Sequence, residues 1–259
     1  MSGQSLPVRA LEIYSERGAL SLLNSTQAYI RHSIHSEYKA AVENLHQYTQ
    51  SELRKITLNG VLVSVEIHSI DKSLPYYEPP YRTEDGPEYE HTEVESLRTY
   101  AKKGDEVVVI GGGLGVTAVV ASKVTDGKVT VFEQSKPTYK ILKRTVELND
   151  CSDKIDVELA AVGEVAGSNF THKQPSDVER IRPSELPYAD VYEMDCEGAE
   201  TEILQKMGVK PSVLLIETHD NHNQVVDILN SIGYDVVEVV DDGKNQHPSC
   251  THIRARLSQ

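Results

Sequence analysis

The stretch Glu106-Val107-Val108-Val109-Ile110-Gly111-Gly112-Gly113-Leu114-Gly115-Val116-Thr117-Ala118 decides the fold. Its four β-branched residues, Val107 to Ile110, predict a buried strand. Gly111, Gly112, Gly113 and Gly115 follow, and glycine lets a backbone turn tightly and come close to a ligand. Val116 to Val124 then suits a helix whose first N–H groups face whatever the turn encloses. Strand, glycine turn and helix together predict a nucleotide-type binding site.

Outward from that unit, strands and helices alternate. Thr92 to Lys102 suits a helix, ended by Gly104. After the glycine helix, Asp126-Gly127 turns the chain into a strand over Lys128–Phe132 and a helix over Pro137–Leu148. Further strands are expected at Ile155–Val162, Val191–Met194 and Val213–Ile216, with helices at Ala199–Met207 and Asn223–Ser231. Gly163 to Pro187 reads as a polar connection. Tyr234–Val240 and His252–Leu257 close the chain with no convincing helix between them, so an antiparallel pair is expected. Strands separated by helices make βαβ units and a mostly parallel sheet.

The residues before His91 read differently. Pro7 to Gln50 is helix-like, and Ile56–Ile70 carries Asn59-Gly60, a hairpin signal, between β-type runs. Leu74 to Glu90 is a loop rich in Pro and Tyr, either a lid or a plain connector. The expected organisation is an N-terminal helical and hairpin extension over residues 1–90 and a Rossmann-like domain over 91–259.

Composition narrows the class. No apolar run reaches the ~20 residues of a membrane span, and the N-terminus lacks a signal-peptide core, so a cytoplasmic protein with no integral membrane segment is expected. Cys151, Cys196 and Cys250 lie far apart without metal-type spacing, so ordinary reduced thiols are expected. A formal net charge of -14 suits a protein kept soluble in concentrated salt, and argues for no nucleic-acid partner.

Gly111-x-Gly113-x-x-Val116 nearly fits the dinucleotide fingerprint, with Val116 where the third glycine belongs. Glu133, at the end of the next strand, is the acid expected roughly 20 positions on to accept ribose hydroxyls. These features indicate an adenosine-containing ligand and do not choose among NAD, FAD and S-adenosylmethionine.

The fourth strand of the alternating part narrows the choice. Asp190-Val-Tyr-Glu-Met-Asp195-Cys196-Glu197-Gly198-Ala199-Glu200 crowds carboxylates at the C-terminal edge of the sheet, where ligands of parallel sheets bind. Glu200 suits a helix start, where an acid complements the dipole. Asp195 and Glu197 are the functional candidates.

This segment resembles the D-x-E-G-x-E signature of the FkbM-type S-adenosylmethionine-dependent methyltransferases. Lys102 to Gly115, Glu133, Ala160-Ala161-Val162-Gly163 and Ile216-Glu217-Thr218-His219 are similar to that family's motifs in the same order, over about Glu90 to Tyr234. The sequence departs from it at Val109, where the family has an acid, and at Gly112-Gly113, where it has Ala-Asn.

The resemblance implies a doubly wound, mostly parallel seven-stranded sheet of the class I methyltransferase type. It implies S-adenosylmethionine as cofactor, held by Gly111, Gly112, Gly113, Gly115, Glu133, Gln134 and Ala161. Asp195, Glu197, Glu217 and His219 become the catalytic candidates, and the acceptor a hydroxyl on a small molecule, sugar or glycan. The scattered acids and histidine form no compact metal motif, so no metal is expected. A nicotinamide- or flavin-dependent oxidoreductase, or a non-catalytic adenosine-binding protein, are the alternatives.

Overall fold

A computed structural model of the chain describes residues 50–69, 82–163, 178–196, 198–219, 221–240 and 250–258. The helix-like stretch before Gln50, most of the Pro- and Tyr-rich loop, and Glu197 lie outside the described residues. The chain divides into two compact units, Met1–Leu53 with Glu66–Pro80, and Arg54–Val65 with Tyr81–Gln259. Only the second is described at length.

The expected hairpin is present as β1 (Ser51–Leu58) and β2 (Val61–His68). Asn59 and Gly60 both take left-handed backbone angles, as a two-residue turn matching strand twist requires. The hairpin tip belongs to the second unit. Asn149 fastens it there, accepting from the Leu62 N–H at 3.3 Å and donating to the Leu62 carbonyl at 2.8 Å.

The main sheet has eight strands in the order β6-β5-β4-β3-β7-β8-β10-β9. They are β3 (Val107–Ile110), β4 (Val129–Glu133), β5 (Ile155–Val162), β6 (Glu179–Ile181), β7 (Val191–Met194), β8 (Val213–His219), β9 (Tyr234–Val240) and β10 (Cys250–Leu257). Pairings from β6 through β8 are parallel, and β10 runs antiparallel to β8 and β9. The helices are α1 (His91–Tyr100), α2 (Val116–Thr125), α3 (Lys136–Leu148), α4 (Glu200–Lys206) and α5 (His222–Ile232). This is a class I methyltransferase-like, Rossmann-like α/β fold. Strand order reverses beside β3, which makes the C-terminal edge of β3 the topological switch point where such sheets bind ligands.

Two expectations need correction. The sheet has eight strands, not seven, because the connection after Gly163 holds β6. That strand has three residues, Glu179-Arg180-Ile181, with no apolar alternation to announce it. It is held by Gly163 N–H to Ile181 O and by Arg180 reaching the Gly163 carbonyl. β8 also runs on to His219, because β10 pairs Thr251 with Thr218 and Cys250 with His219.

β3 is buried along its whole length, as its β-branched run requires. On one face of β7, β8 and β10, Tyr192, Met194, Leu214, Ile216 and Ile253 pack into the main core. The phenols buried there keep partners: Tyr192 donates to Pro187 O and Tyr234 to Pro211 O. Strand alternation puts Glu193, Glu217, His252 and Arg254 on the opposite face.

The glycine turn is fixed by the protein itself. A Cβ on Gly111 would lie 1.8 Å from the Asp195 carbonyl oxygen, and Gly111 has φ 93. Gly111→Ala is therefore expected to destabilise the fold by at least about 3 kcal/mol. Gly233 also has φ 89 but meets no atom within 4 Å, so Gly233→Ala is expected to cost only about 1–2 kcal/mol. Urea unfolding of the two variants checks this, and equal losses would contradict the assigned clash.

Candidate active site

The glycine turn, the ends of β4 and β5 and the end of β7 enclose a cleft of about 200 Å³. Gly111, Gly113, Glu133, Gln134, Ala161 and Asp195 all line it. Gly112 and Gly115 do not. A Cβ on Gly112 would come within 2.4 Å of Leu142 and Val131, and one on Gly115 within 3.2 Å of Thr145. Those two glycines let α3 and β4 pack against the turn.

Glu133 ends β4 and is 6% exposed. One carboxylate oxygen accepts the Gly113 N–H at 3.0 Å and the other the Ser135 N–H at 2.6 Å. Ser135 also caps α3, accepting from the Thr138 N–H. Burial pushes the Glu133 carboxyl up to about 7, Asp195 adds to the rise, and the backbone N–H groups of Ser135, Gly113 and Gln134 hold it back. A carboxylate offers about four acceptor sites, so acceptor capacity remains for a ligand hydroxyl.

Asp195 follows β7, with its N–H on the Ile110 carbonyl. Its carboxylate lies 3.5 Å from His219 Nε2, and His219 Nδ1 lies 2.9 Å from Glu200. His219 is buried rather than solvent-facing. Glu200 is more than a helix-start acid: it is wholly buried, and it accepts from the Gly198 N–H at 3.0 Å and Asn221 Nδ2 at 2.7 Å. Burial alone would raise its carboxyl, but His219, Gly198 and Asn221 outweigh that and hold it below the usual range. The result is a chain of polar groups, Asp195 to His219 to Glu200, running from cleft to interior. Glu217 lies between two imidazoles: its carboxylate is 4.0 Å from His252 Nε2, and a carboxylate oxygen falls within 4.8 Å of a His219 ring nitrogen.

Two buried acids escape a motif reading. Glu193 is 2% exposed, its Oε2 has no hydrogen-bond partner among the described residues, and burial raises its carboxyl well above the usual range. It stands across from Val109 in the register of β3 and β7, beside the position where the resembled family carries an acid. A charge-bearing residue inside the apolar run Val-Tyr-Glu-Met was the available signal. Glu90, before α1, is pushed up to about 8 by burial, with Glu93 and Asp195 adding to it. It lies 3.3 Å from where a Gly113 Cβ would stand.

No family model matches the chain. A curated protein, the ribosomal protein L11 methyltransferase of Macrococcus caseolyticus (strain JCSC5402), is 23% identical over 146 residues, 56% of this chain and 43% of that protein. The chain thus spans less than half the length of this relative. Among solved structures, the complex of aTrm5 with tRNALeu is similar with TM-score 0.52 and 15% identity, over 80% of this chain and 53% of that one. Methanocaldococcus jannaschii Trm5 in complex with adenosine gives TM-score 0.52 and 15% identity, over 81% and 56%. At these identities the likeness is one of fold.

The expectation of no nucleic-acid partner is overturned by these comparisons, since a similar chain was solved with tRNA bound. Net charge is an average over the whole surface and cannot exclude a local basic face. α3, which starts at the cleft, carries Lys136, Lys140, Lys143 and Arg144, none of them buried. Among the described residues, no helix is long and apolar enough to cross a membrane.

Glu200→Ala is expected to cost about 3 kcal/mol near pH 7, because it strands the buried His219 donor and two half-buried ones, Gly198 N–H and Asn221 Nδ2. A carboxyl held low in the fold stabilises above its unfolded value and loses that contribution as pH falls through its folded value. Urea unfolding should therefore show the variant and the parent converging below about pH 4. A constant gap down to acid pH would contradict the assignment of an ionised Glu200.

Proposed function

We propose that this chain binds S-adenosylmethionine in the cleft beneath the glycine turn and transfers its methyl group to an oxygen nucleophile. One observation carries the reading: a buried carboxylate, Glu133, faces a cleft at the topological switch point, beside Gly111, Gly113 and Ala161. Two ribose hydroxyls match its two oxygens, and the small residues leave room for the adenosine. The adenosine bound to a similar fold, and the methyltransferase activity in the name of the curated relative, support the choice. So does the resemblance of Asp195-Cys196-Glu197-Gly198 to the FkbM-type signature.

S-adenosylmethionine supplies an electrophilic methyl group on a sulfonium, so the protein has three tasks. Glu133 fixes the ribose. Asp195, half-buried at the cleft, attracts the cationic end and takes the proton of the attacking hydroxyl. His219, held by Glu200, stands 3.5 Å behind Asp195 as its charge partner and keeps the carboxylate aimed at the cleft. The Cys196 thiol takes no part: burial, with Glu200 and Asp195 beside it, raises it well above its usual range and keeps it protonated. The acceptor is a hydroxyl, on a sugar or glycan as the FkbM-type resemblance implies, or on an RNA ribose given the likeness to tRNA-bound folds.

Calorimetry with S-adenosylhomocysteine, NAD and FAD tests the cofactor. S-adenosylhomocysteine alone is expected to bind, and tight binding of either other ligand sinks the reading. Glu133 must be ionised to accept from both hydroxyls. With its carboxyl near 7, affinity is expected to fall about tenfold from pH 8 to pH 6. Glu133→Gln should abolish that dependence, and a pH-independent parent would refute the ribose role. Asp195→Asn is expected to lower methyl transfer to the best acceptor among transfer RNA and glycans by about 100-fold. S-adenosylhomocysteine affinity should stay within about threefold in that variant. Full turnover in Asp195→Asn would remove it as the base.

A further inference from the structure

With Glu133 on the ribose and Asp195 facing the sulfonium, the amino-acid end of S-adenosylmethionine has no partner. Its ammonium is a donor only and needs an acceptor. The glycine turn offers no side chain at Gly111, Gly112 or Gly113, and β3 ends in Val109 and Ile110. An acid reaches the turn from outside the strand, turn and helix: Glu90, the residue before α1.

A Cβ on Gly113 would lie 3.3 Å from Glu90 Oε1, and Gly113 lines the cleft. The same glycine donates its N–H to Glu133 at 3.0 Å. One residue of the turn thus stands beside two acids, one proposed for the ribose and one with no task yet. Capping α1 is not that task. Glu90 has φ 50, in the left-handed region that glutamate rarely adopts, and its side chain accepts no N–H of α1. The carboxyl turns instead to the start of α2, where the Thr117 N–H acts on it together with the Tyr89 hydroxyl. Its Oε2 is buried and has no hydrogen-bond partner among the described residues. A buried carboxyl oxygen without a donor is costly, and an N–H from a ligand relieves that cost. The hairpin steadies this segment: Asn59 Nδ2 donates to Tyr89 O at 3.1 Å, and Asn59 N–H to Gly86 O at 2.9 Å.

On the reading of the cleft as an S-adenosylmethionine site, we propose that Glu90 binds the ammonium of the cofactor's amino-acid end. Ribose and ammonium are then both held, one on either side of the sulfonium, which fixes the methyl group for in-line transfer. Burial favours the neutral carboxyl of Glu90 at pH 7. A neutral carboxyl still accepts through its carbonyl oxygen, and the ammonium supplies the charge that strengthens the bond. The hairpin gains a task as well, since it braces the residue that reads one end of the cofactor.

Calorimetry at pH 7 with S-adenosylhomocysteine and with its deaminated analogue, hydrogen replacing the amino group, tests this without reference to turnover. The parent is expected to bind the analogue about tenfold more weakly. Glu90→Ala should bind S-adenosylhomocysteine about tenfold more weakly than the parent does and should no longer distinguish the two ligands. Adenosine, which lacks the amino-acid end, should bind parent and variant within about twofold of each other. Equal affinity of the parent for S-adenosylhomocysteine and the analogue overturns the proposal. So does a variant that still discriminates, or one that loses as much affinity for adenosine as for S-adenosylhomocysteine. Where Glu90→Ala fails to fold, the crystal structure of the parent complex decides. An amino nitrogen within about 3.2 Å of a Glu90 oxygen supports the proposal, and one placed elsewhere overturns it. A parent that binds no S-adenosylhomocysteine strikes the cofactor reading itself, whereas binding without discrimination strikes the role of Glu90 alone.

Discussion

The carbonyl oxygen of Asp195 occupies the space that a side chain on Gly111 would need, and the geometry of the cleft follows from that contact. It brings the end of β3 against the end of β7, while Asp195 N–H closes on Ile110 O. Phe132 O then receives the N–H groups of both Gly111 and Gly112, which ties the same turn to β4. The turn can rise no further, so Gly113 N–H falls on Glu133. One missing Cβ thus sets a carboxylate from β4 and a carboxylate from β7 on either side of one cleft. The glycines divide between two tasks: Gly111 and Gly113 line the cleft, and Gly112 and Gly115 admit the packing of α3.

Buried carboxyl groups are the second theme of the molecule. Glu90, Glu133 and Glu193 all sit near the C-terminal edge with their carboxyls raised by burial. Glu200 differs because three donors surround it. Of the acids at this edge, Asp195 is the one proposed to face the sulfonium of the cofactor. Surface pairs such as Lys128–Asp156 and Arg98–Glu95 contribute little by comparison, since solvent screens exposed ion pairs.

Much of this architecture was legible in the chain. Val107–Ile110, Ile155–Val162 and Val191–Met194 are strands with the bounds that their apolar runs mark. Asn59-Gly60 announced its turn, and the lack of a helix signal in the sequence between Val240 and Cys250 announced the antiparallel edge. β6 was not legible, because three polar-flanked residues at an edge carry no periodicity. The lining of the cleft was readable where it follows the chain, as in Gly111, Gly113 and Glu133. Where it depends on residues meeting across strands it was not: the pairing of His219 with Glu200, and of Glu217 with His252, is set by register. The role of Glu200 was hidden for another reason. A helix-start acid and a buried acceptor of three donors look alike in sequence, and only burial separates them.

A crystal structure of the chain with S-adenosylhomocysteine tests the central claim most directly. The account predicts the ribose hydroxyls on the two oxygens of Glu133, the adenosine between the ends of β4 and β5, and the sulfur within reach of Asp195. A ligand seated elsewhere, or one whose ribose makes no contact with Glu133, would contradict it.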